Sequence, residues 1–394
     1  MQVNYRPTIA EINLDHLRSN YQAFRTVLPQ EMMILACVKA NAYGHGAVRV
    51  AQEMERMGAD YLSVAFLDEA LELRQAGIEL PILILGYTPP EAIQIAWEND
   101  ITITLFSQEV LEAIIQLPEQ SVVKPLKVHI KIDSGMGRLG LLPGEEALSF
   151  IEKACSIQGI QVEGMFTHYA KADEEDKSYT LEQYRRFRSV ADALEERGCN
   201  IPIIHTGNSA TAIDMPLISH NMVRIGISLY GLYPSDEVDC QKIVLNPVLT
   251  LKTKTVYVKT LPPQWGVSYG SRYVTEENEV VATLPIGYAD GYSRMLSGKA
   301  EVLIRGRRIP VIGTICMDQC MVSLQSLGKE AQEIQVGEEV VLIGQQSGEC
   351  IHTDELASKL GTIPYELVCM LTARVPRHYM LDGVLQHIVN PLLR

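Results

Sequence analysis

The chain has 394 residues, with 34 Lys and Arg against 48 Asp and Glu for a net charge of −14, and is 47% hydrophobic and 21% charged. That length predicts two domains, and that composition an ordinary globular protein with a large core. The acidic balance, with no long basic run, excludes a phosphate-backbone partner, so no nucleic-acid binding is expected.

The opening Met-Gln-Val-Asn-Tyr-Arg-Pro lacks the basic-then-apolar layout of a signal peptide, and no apolar stretch reaches membrane-spanning length. A cytoplasmic protein with no membrane partner is expected. Eight cysteines, at 37, 155, 199, 240, 316, 320, 350 and 369, show no C-x-x-C spacing. Neither a zinc site nor a disulfide framework is signalled; no metal is expected, and the thiols read as reduced, mostly buried structural side chains.

Thr8–Asn13 alternates apolar and polar residues, and Leu14–Leu28 has helical period. Short apolar runs then recur at Met32–Ala40, Asp60–Phe66, Pro81–Tyr87, Ile101–Phe106, Lys127–Asp133, Val162–His168, Ile203–Thr206 and Met222–Ile225. Continuous runs of this kind form strands buried on both faces. Helical segments lie between them, such as Asp68–Ala76, closed by Gly77 as a C-cap residue. Eight strands alternating with helices predict an α/β fold with an N-terminal (β/α)8 barrel over residues 14–240.

After residue 240 the texture changes. Pro247–Leu261 reads as one half-buried strand, and Glu279–Leu284, Ala300–Ile304, Arg308–Ile312, Cys320–Leu324 and Glu339–Ile343 continue in the same manner. Helical pieces at Thr353–Leu360 and Pro364–Leu371 close a C-terminal, mostly β domain over 241–394, joined by residues 1–13.

Chemistry in a (β/α)8 barrel sits at the carboxyl ends of its strands. Lys39 follows the first strand, Lys131 and Arg138 flank the end of the fifth, and His168 ends the sixth. His205 to Ser209 follow the seventh, and Arg224, Gly226 and Ile227 the eighth. A lysine at a strand end with its amine facing a pocket loses hydration of its charged form and becomes a nucleophile. The same pattern also fits a lysine that buries its stem and leaves its head in water. Ser209 and the glycine at 226 suit either a phosphate site or simple turn chemistry. Gly135-Met-Gly137-Arg-Leu-Gly140 satisfies the dinucleotide fingerprint, yet the helix after it begins only beyond Pro143-Gly144, so these glycines do not open it.

Val38-Lys39-Ala-Asn-Ala-Tyr43-Gly-His-Gly46 resembles the cofactor-lysine signature of the alanine racemases, fold-type III enzymes that use pyridoxal 5'-phosphate (PLP). The resemblance implies that Lys39 binds PLP covalently, with Tyr43, His168, Asn208, Ser209, Gly226, Ile227 and Tyr365 on the cofactor and Arg224 donating to its pyridine nitrogen. Arg138 and the Met317 backbone N–H would hold the substrate carboxylate, and Lys131 matches a lysine carried as a carbamate in many relatives. An ordinary Lys131–carboxylate pair fits the residues too.

Gly266-Val-Ser-Tyr269 resembles the motif of the second catalytic base, delivered from the partner of a homodimer. Pro285-Ile-Gly-Tyr288 resembles the entry corridor, and Thr314 stands where many relatives have an arginine. The implied activity is two-base racemisation of L- and D-alanine by Lys39 and Tyr269, supplying peptidoglycan precursors. A racemase of serine or another amino acid, and a fold-type III decarboxylase, are the alternatives; a non-catalytic PLP-binding protein would lack the second domain.

Overall fold

A computed structural model of the protein describes residues 4–117 and 124–393. They divide into two units, one comprising Leu17–Ala42 and Ala47–Asn246, the other the chain up to His16, Tyr43–Gly46, and everything from Pro247 onward. No described helix is long and apolar enough to cross a membrane.

The first unit is built on eight parallel strands: β1 (Met33–Cys37), β2 (Tyr61–Val64), β3 (Ile82–Ile84), β4 (Ile101–Leu105), β5 (Leu126–Lys131), β6 (Ile160–Phe166), β7 (Ile203–His205) and β8 (Met222–Ile225). Neighbours in sequence are neighbours in the sheet, and β8 returns to β1 in register from Met33 opposite Met222 to Ala36 opposite Ile225. Closure at the β7–β8 seam is looser. There the Asn221 N–H donates to Ile204 O at 3.3 Å and the Arg224 N–H to Gly207 O at 3.1 Å, while the Asn221 carboxamide bridges Ile204 N and Pro202 O.

This is the expected barrel, nearly closed. Every residue of β2, β3, β4 and β8 is buried, because helices cover the outer face and side chains fill the inner one. The helix Leu67–Gln75 shows how the sequence punctuates the ring. Gly77 takes φ +81° just past its end, and the N–H groups of Gly77 and Ile78 close back on Arg74 and Leu73.

The second unit carries an eleven-stranded sheet. Ile9–Asn13 lies inside it, antiparallel to Leu249–Lys254 and parallel to Arg377–Leu381. Two sequence expectations are corrected here. Pro247–Leu261 is not one strand but two, Leu249–Lys254 and Tyr257–Leu261, with different partners, because Thr255 and Val256 turn out of the first ladder to bond Glu338 and Thr283. The helices at Thr353–Leu360 and Pro364–Cys369 do not close the domain. A hairpin follows them, Arg377–Leu381 with Val384–Val389, turning on Asp382 and Gly383 at φ +52° and +71°. The cysteines are unpaired, yet only Cys37 and Cys320 are buried, since the other six sit on loops, at helix ends or, for Cys350, on the short strand Glu349–Ile351, all facing solvent to some degree.

Candidate functional site

At the end of β1 the chain enters an uncommon conformation. Ala40, Asn41, Ala42 and Tyr43 all have φ of 51–53°, a left-handed turn built without glycine. Each such residue costs roughly 1–2 kcal/mol, so the turn persists only where side chains hold it. The Ala40 N–H donates to Glu69 Oε1 at 2.6 Å, and the Ala47 N–H to Asn41 Oδ1 at 2.9 Å. Lys39 opens the turn, half-buried, with no carboxylate paired to its amine among the described residues. Strained backbone clusters at functional sites, and this segment begins at Lys39.

Arg224 is the hub of the barrel interior and is 4% exposed. Nη1 donates to His205 Nδ1 at 3.0 Å and His205 O at 2.9 Å; Nη2 donates to Thr167 O, Thr206 O and His168 Nδ1 at 2.9, 3.0 and 3.2 Å. Among the described residues Nε–H alone of its donors has no acceptor. Burial pulls the guanidinium down to about 10, which leaves it charged at neutral pH.

Because arginine only donates, the Nδ1 atoms of His205 and His168 must accept, and each neutral ring carries its proton on Nε2. His205 Nε2 then meets His129 Nδ1 at 2.8 Å, and His129 Nε2 faces Glu163 at 3.5 Å. The Tyr61 hydroxyl bonds the same carboxylate. Burial pushes His168 and His205 well below the usual imidazole range, with Arg224, Lys131 and, for His205, His129 adding to it. His129, absent from the sequence reading, thus extends a one-way chain of donors from Arg224 through His205, with the Glu163 carboxylate beyond it.

Around β5, Lys131 is buried with Nζ 4.3 Å from the Phe166 ring centroid. Burial first, then the Arg224 and Arg138 cations, hold its amine well below the ordinary lysine value. No carboxylate pairs with it among the described residues, so the ordinary ion-pair reading is not observed. Arg138 is exposed, and its guanidinium also has no carboxylate partner among the described residues.

The glycine-rich loop between these two cations encloses its own anion. Gly135, Met136 and Gly137 donate N–H groups to Asp133 Oδ1 at 2.9–3.0 Å and Arg138 donates to Oδ2 at 3.0 Å. Burial raises this carboxyl, and the four donors more than offset that, leaving it below the usual range. The dinucleotide-like motif is therefore filled from within, and its helix starts at Glu145.

After β7, Asn208 caps the short helix Ser209–Asp214, accepting from Thr211 N at 3.1 Å while its own N–H donates to Thr211 Oγ1. That fixes Ser209, whose Oγ accepts from Gly226 N at 2.9 Å and retains its O–H to donate. Ile227 begins the turn Ile227–Tyr230 directly after β8, where the first N–H groups have no partner within the turn.

In the second unit, Tyr43 and Tyr365 stand with ring centroids 6.3 Å apart. Tyr269 is 72% exposed, on a turn flanked by left-handed Ser268 and Ser271. Thr314 Oγ1 donates to its carbonyl at 2.9 Å, and Ser268 Oγ donates to Thr314 O. Thr314 is thereby a support for the Tyr269 backbone. Met317 is 52% exposed, and its N–H has no acceptor among the described residues.

Comparison with known proteins covers both units. The family models "Alanine racemase, N-terminal domain" and "Alanine racemase, C-terminal domain" match residues 12–234 and 248–379. The alanine racemase of Clostridium perfringens is 44% identical over 390 residues, 99% of this chain and 100% of the relative. That of Desulfovibrio desulfuricans is 48% identical over 375 residues, 95% and 98% of the two chains. Among solved structures, alanine racemase of Clostridium difficile 630 matches at TM-score 0.93 with 44% identity, covering 100% of both chains. The Bacillus anthracis alanine racemase crystallised with bound L-Ala-P matches at 0.94 with 40% identity and 99% coverage of each.

Proposed function

The chain belongs to the alanine racemase family, and we propose that it interconverts L-alanine and D-alanine with PLP carried on Lys39. The observation that supports this most is the uncommitted Nε–H of Arg224, a donor held in a fixed direction by five acceptors on its other nitrogens. Such a donor matches a pyridine nitrogen. The other side chains fit the same group: the Ser209 hydroxyl and the Ile227 N–H suit a phosphate, with Gly226 and Asn208 fixing Ser209, and Tyr43 and Tyr365 supply phenols. His168, neutral and bonded to Arg224, lines the cofactor side.

When bound, PLP supplies an electron sink that acidifies the Cα–H of an amino acid attached to it. Arg224 stays protonated and gives no proton away, so it would leave a pyridine nitrogen facing it unprotonated and limit the sink. By donating without giving up its proton, Arg224 would favour return of a proton to Cα over transfer of the amino group. Lys39 handles the proton on one face, and the partner subunit's Tyr269 handles it on the other. The exposure of Tyr269 supports this assignment, because a phenol tuned as an acid–base group needs a desolvated setting that only another surface brings to it.

Arg138 and the Met317 N–H take the substrate carboxylate. Burial, with Arg224 and Arg138 adding to it, lowers the Lys131 amine and so favours the neutral form that reacts with carbon dioxide; the resulting carbamate anion would orient Arg138. We place the reaction in the cytoplasm, where unpaired thiols persist, and assign it to D-alanine supply for peptidoglycan.

The test is direct. Purified protein with PLP is expected to absorb near ~420 nm, to yield a borohydride-trapped adduct on Lys39, and to form D-alanine from L-alanine. A protein that takes up no PLP contradicts the proposal, and a Lys39 adduct without D-alanine contradicts the substrate. Mixing Lys39→Ala and Tyr269→Phe proteins is expected to restore activity through heterodimers with one intact site; no recovery despite subunit exchange rules out a shared site.

A further inference from the structure

On the outside of the barrel unit, Cys155 and Cys199 bring their sulfurs to 2.9 Å. Neither residue contributes to the strand ends where the polar groups gather. Cys155 lies in the last turn of the helix Glu145–Ser156, and Cys199 stands three residues past the end of the helix Ser178–Glu196, its N–H bonded to Leu194 O at 2.9 Å. Arg197 clamps the two helices together, donating to both oxygens of Glu145 at 2.9 and 2.8 Å and to Glu152 at 3.5 Å. Cys155 is exposed and Cys199 partly so. No other two sulfurs among the described residues make such a contact. A disulfide needs its sulfurs about 2.05 Å apart, so the sulfurs have under about 1 Å to close.

We propose that Cys155 and Cys199 are a reversible modification site, forming a disulfide by exchange with a low-molecular-weight disulfide of the glutathione type. One protein thiolate attacks the small disulfide, forming a mixed disulfide and releasing one small thiol. The second protein thiol gives its proton to solvent and attacks the protein sulfur, releasing the other small thiol. Two protein thiols are oxidised by two electrons, and one small disulfide is reduced to two thiols.

Exchange needs a thiolate and accelerates as pH rises. The bond closes the loop that contains β6 and His168 and ties its two flanking helices, which raises unfolding temperature without consuming any group at the strand ends.

The experiment treats the full-length protein with oxidised glutathione at mildly alkaline pH and reads intact mass, thiol count and a peptide map. The expected result is a loss of about 2 Da, the two hydrogens removed, a Cys155–Cys199 cross-linked peptide, a thermal midpoint higher by several degrees, and full reversal by dithiothreitol. Cys155→Ser protein is expected to stop at a glutathione adduct on Cys199. A stable glutathione adduct on the unaltered chain, eight thiols still titrating, or a cross-link mapped to other cysteines overturns the assignment.

Discussion

Two glycine-bearing turns leave the barrel at the carboxyl ends of strands, Lys39–Gly46 after β1 and Asp133–Gly140 after β5, and they solve the backbone's needs in opposite ways. The second turns its N–H groups inward on Asp133, so its polar groups are satisfied within the loop itself. The first places Ala40, Asn41, Ala42 and Tyr43 in a conformation that suits glycine, and keeps its two glycines for a different purpose. At Gly44, with φ +82°, a Cβ would lie 2.2 Å from Val368 O; at Gly46 it would lie 1.8 Å from Tyr379 Oη. Glycine spacing alone made the β5 loop look like a ligand site. The lesson is that the direction of the N–H groups, and the groups already filling them, decide what a glycine-rich turn can hold.

Breaking the first turn is expected to give the largest effect. Gly44→Ala adds a methyl against a backbone carbonyl at a left-handed position, and a cost of about 3 kcal/mol or more is expected, read as a lower denaturation midpoint. A change under about 1 kcal/mol would mean that Gly44 does not pack against Val368 in solution.

In the second turn, Asp133→Ala removes the acceptor of four N–H groups. Partial replacement by water limits the loss to about 2 kcal/mol, with amide exchange accelerating at Gly135 to Arg138. Asp133 also gives this loop a pH signature. Its folded carboxyl titrates below the unfolded value near ~3.9, so its stabilisation is complete above that value and is lost as pH falls through the folded one. Asp133→Asn is expected to flatten that acid limb of stability; an unchanged limb would refute the enclosed carboxylate.

The same contrast explains what was legible in the sequence. The barrel strands announce themselves because burial on both faces demands unbroken apolar runs, and Lys39 and His168 follow the ends of strands, with Arg138 in the loop after β5 and Arg224 within β8. The left-handed turn is silent, since Ala40, Ala42 and Tyr43 carry no preference for it and only Asn41 tolerates it readily. His129 and Glu163 are equally silent, because a polar residue inside a parallel strand reads as an interruption until its partner is known. The break at Thr255–Val256 hides behind residues of high strand propensity on both sides. By contrast, Asp382-Gly383 is a readable hairpin signal that an emphasis on the preceding helices concealed. Cys155 and Cys199 meet only through the packing of two helices, which no spacing rule encodes.

Smaller changes sharpen the comparison. Asn41→Ala removes the acceptor for the Ala47 N–H and puts a less tolerant residue at φ +53°, for an expected loss of about 1 kcal/mol. Unchanged stability would show that this cap does not hold the turn.

The smallest effect is also the most discriminating, because its sign differs from the usual one. Ala40 is exposed at φ 52° and ψ 49°, so Ala40→Gly removes almost no packing. It relieves a left-handed penalty of roughly 1–2 kcal/mol and gives back roughly 0.5–1 kcal/mol through the greater freedom of the unfolded chain. A net gain of about 0.5 kcal/mol is expected. Ala191→Gly, inside the right-handed helix Ser178–Glu196, is the control, with an expected loss of about 1 kcal/mol. Denaturation of the two variants beside the parent protein reads the difference. Opposite signs mean that the turn after Lys39 stores strain in ordinary residues, where the β5 loop stores none; equal losses mean that residues 40–43 relax to a right-handed path in solution and that the contrast between the two turns does not hold.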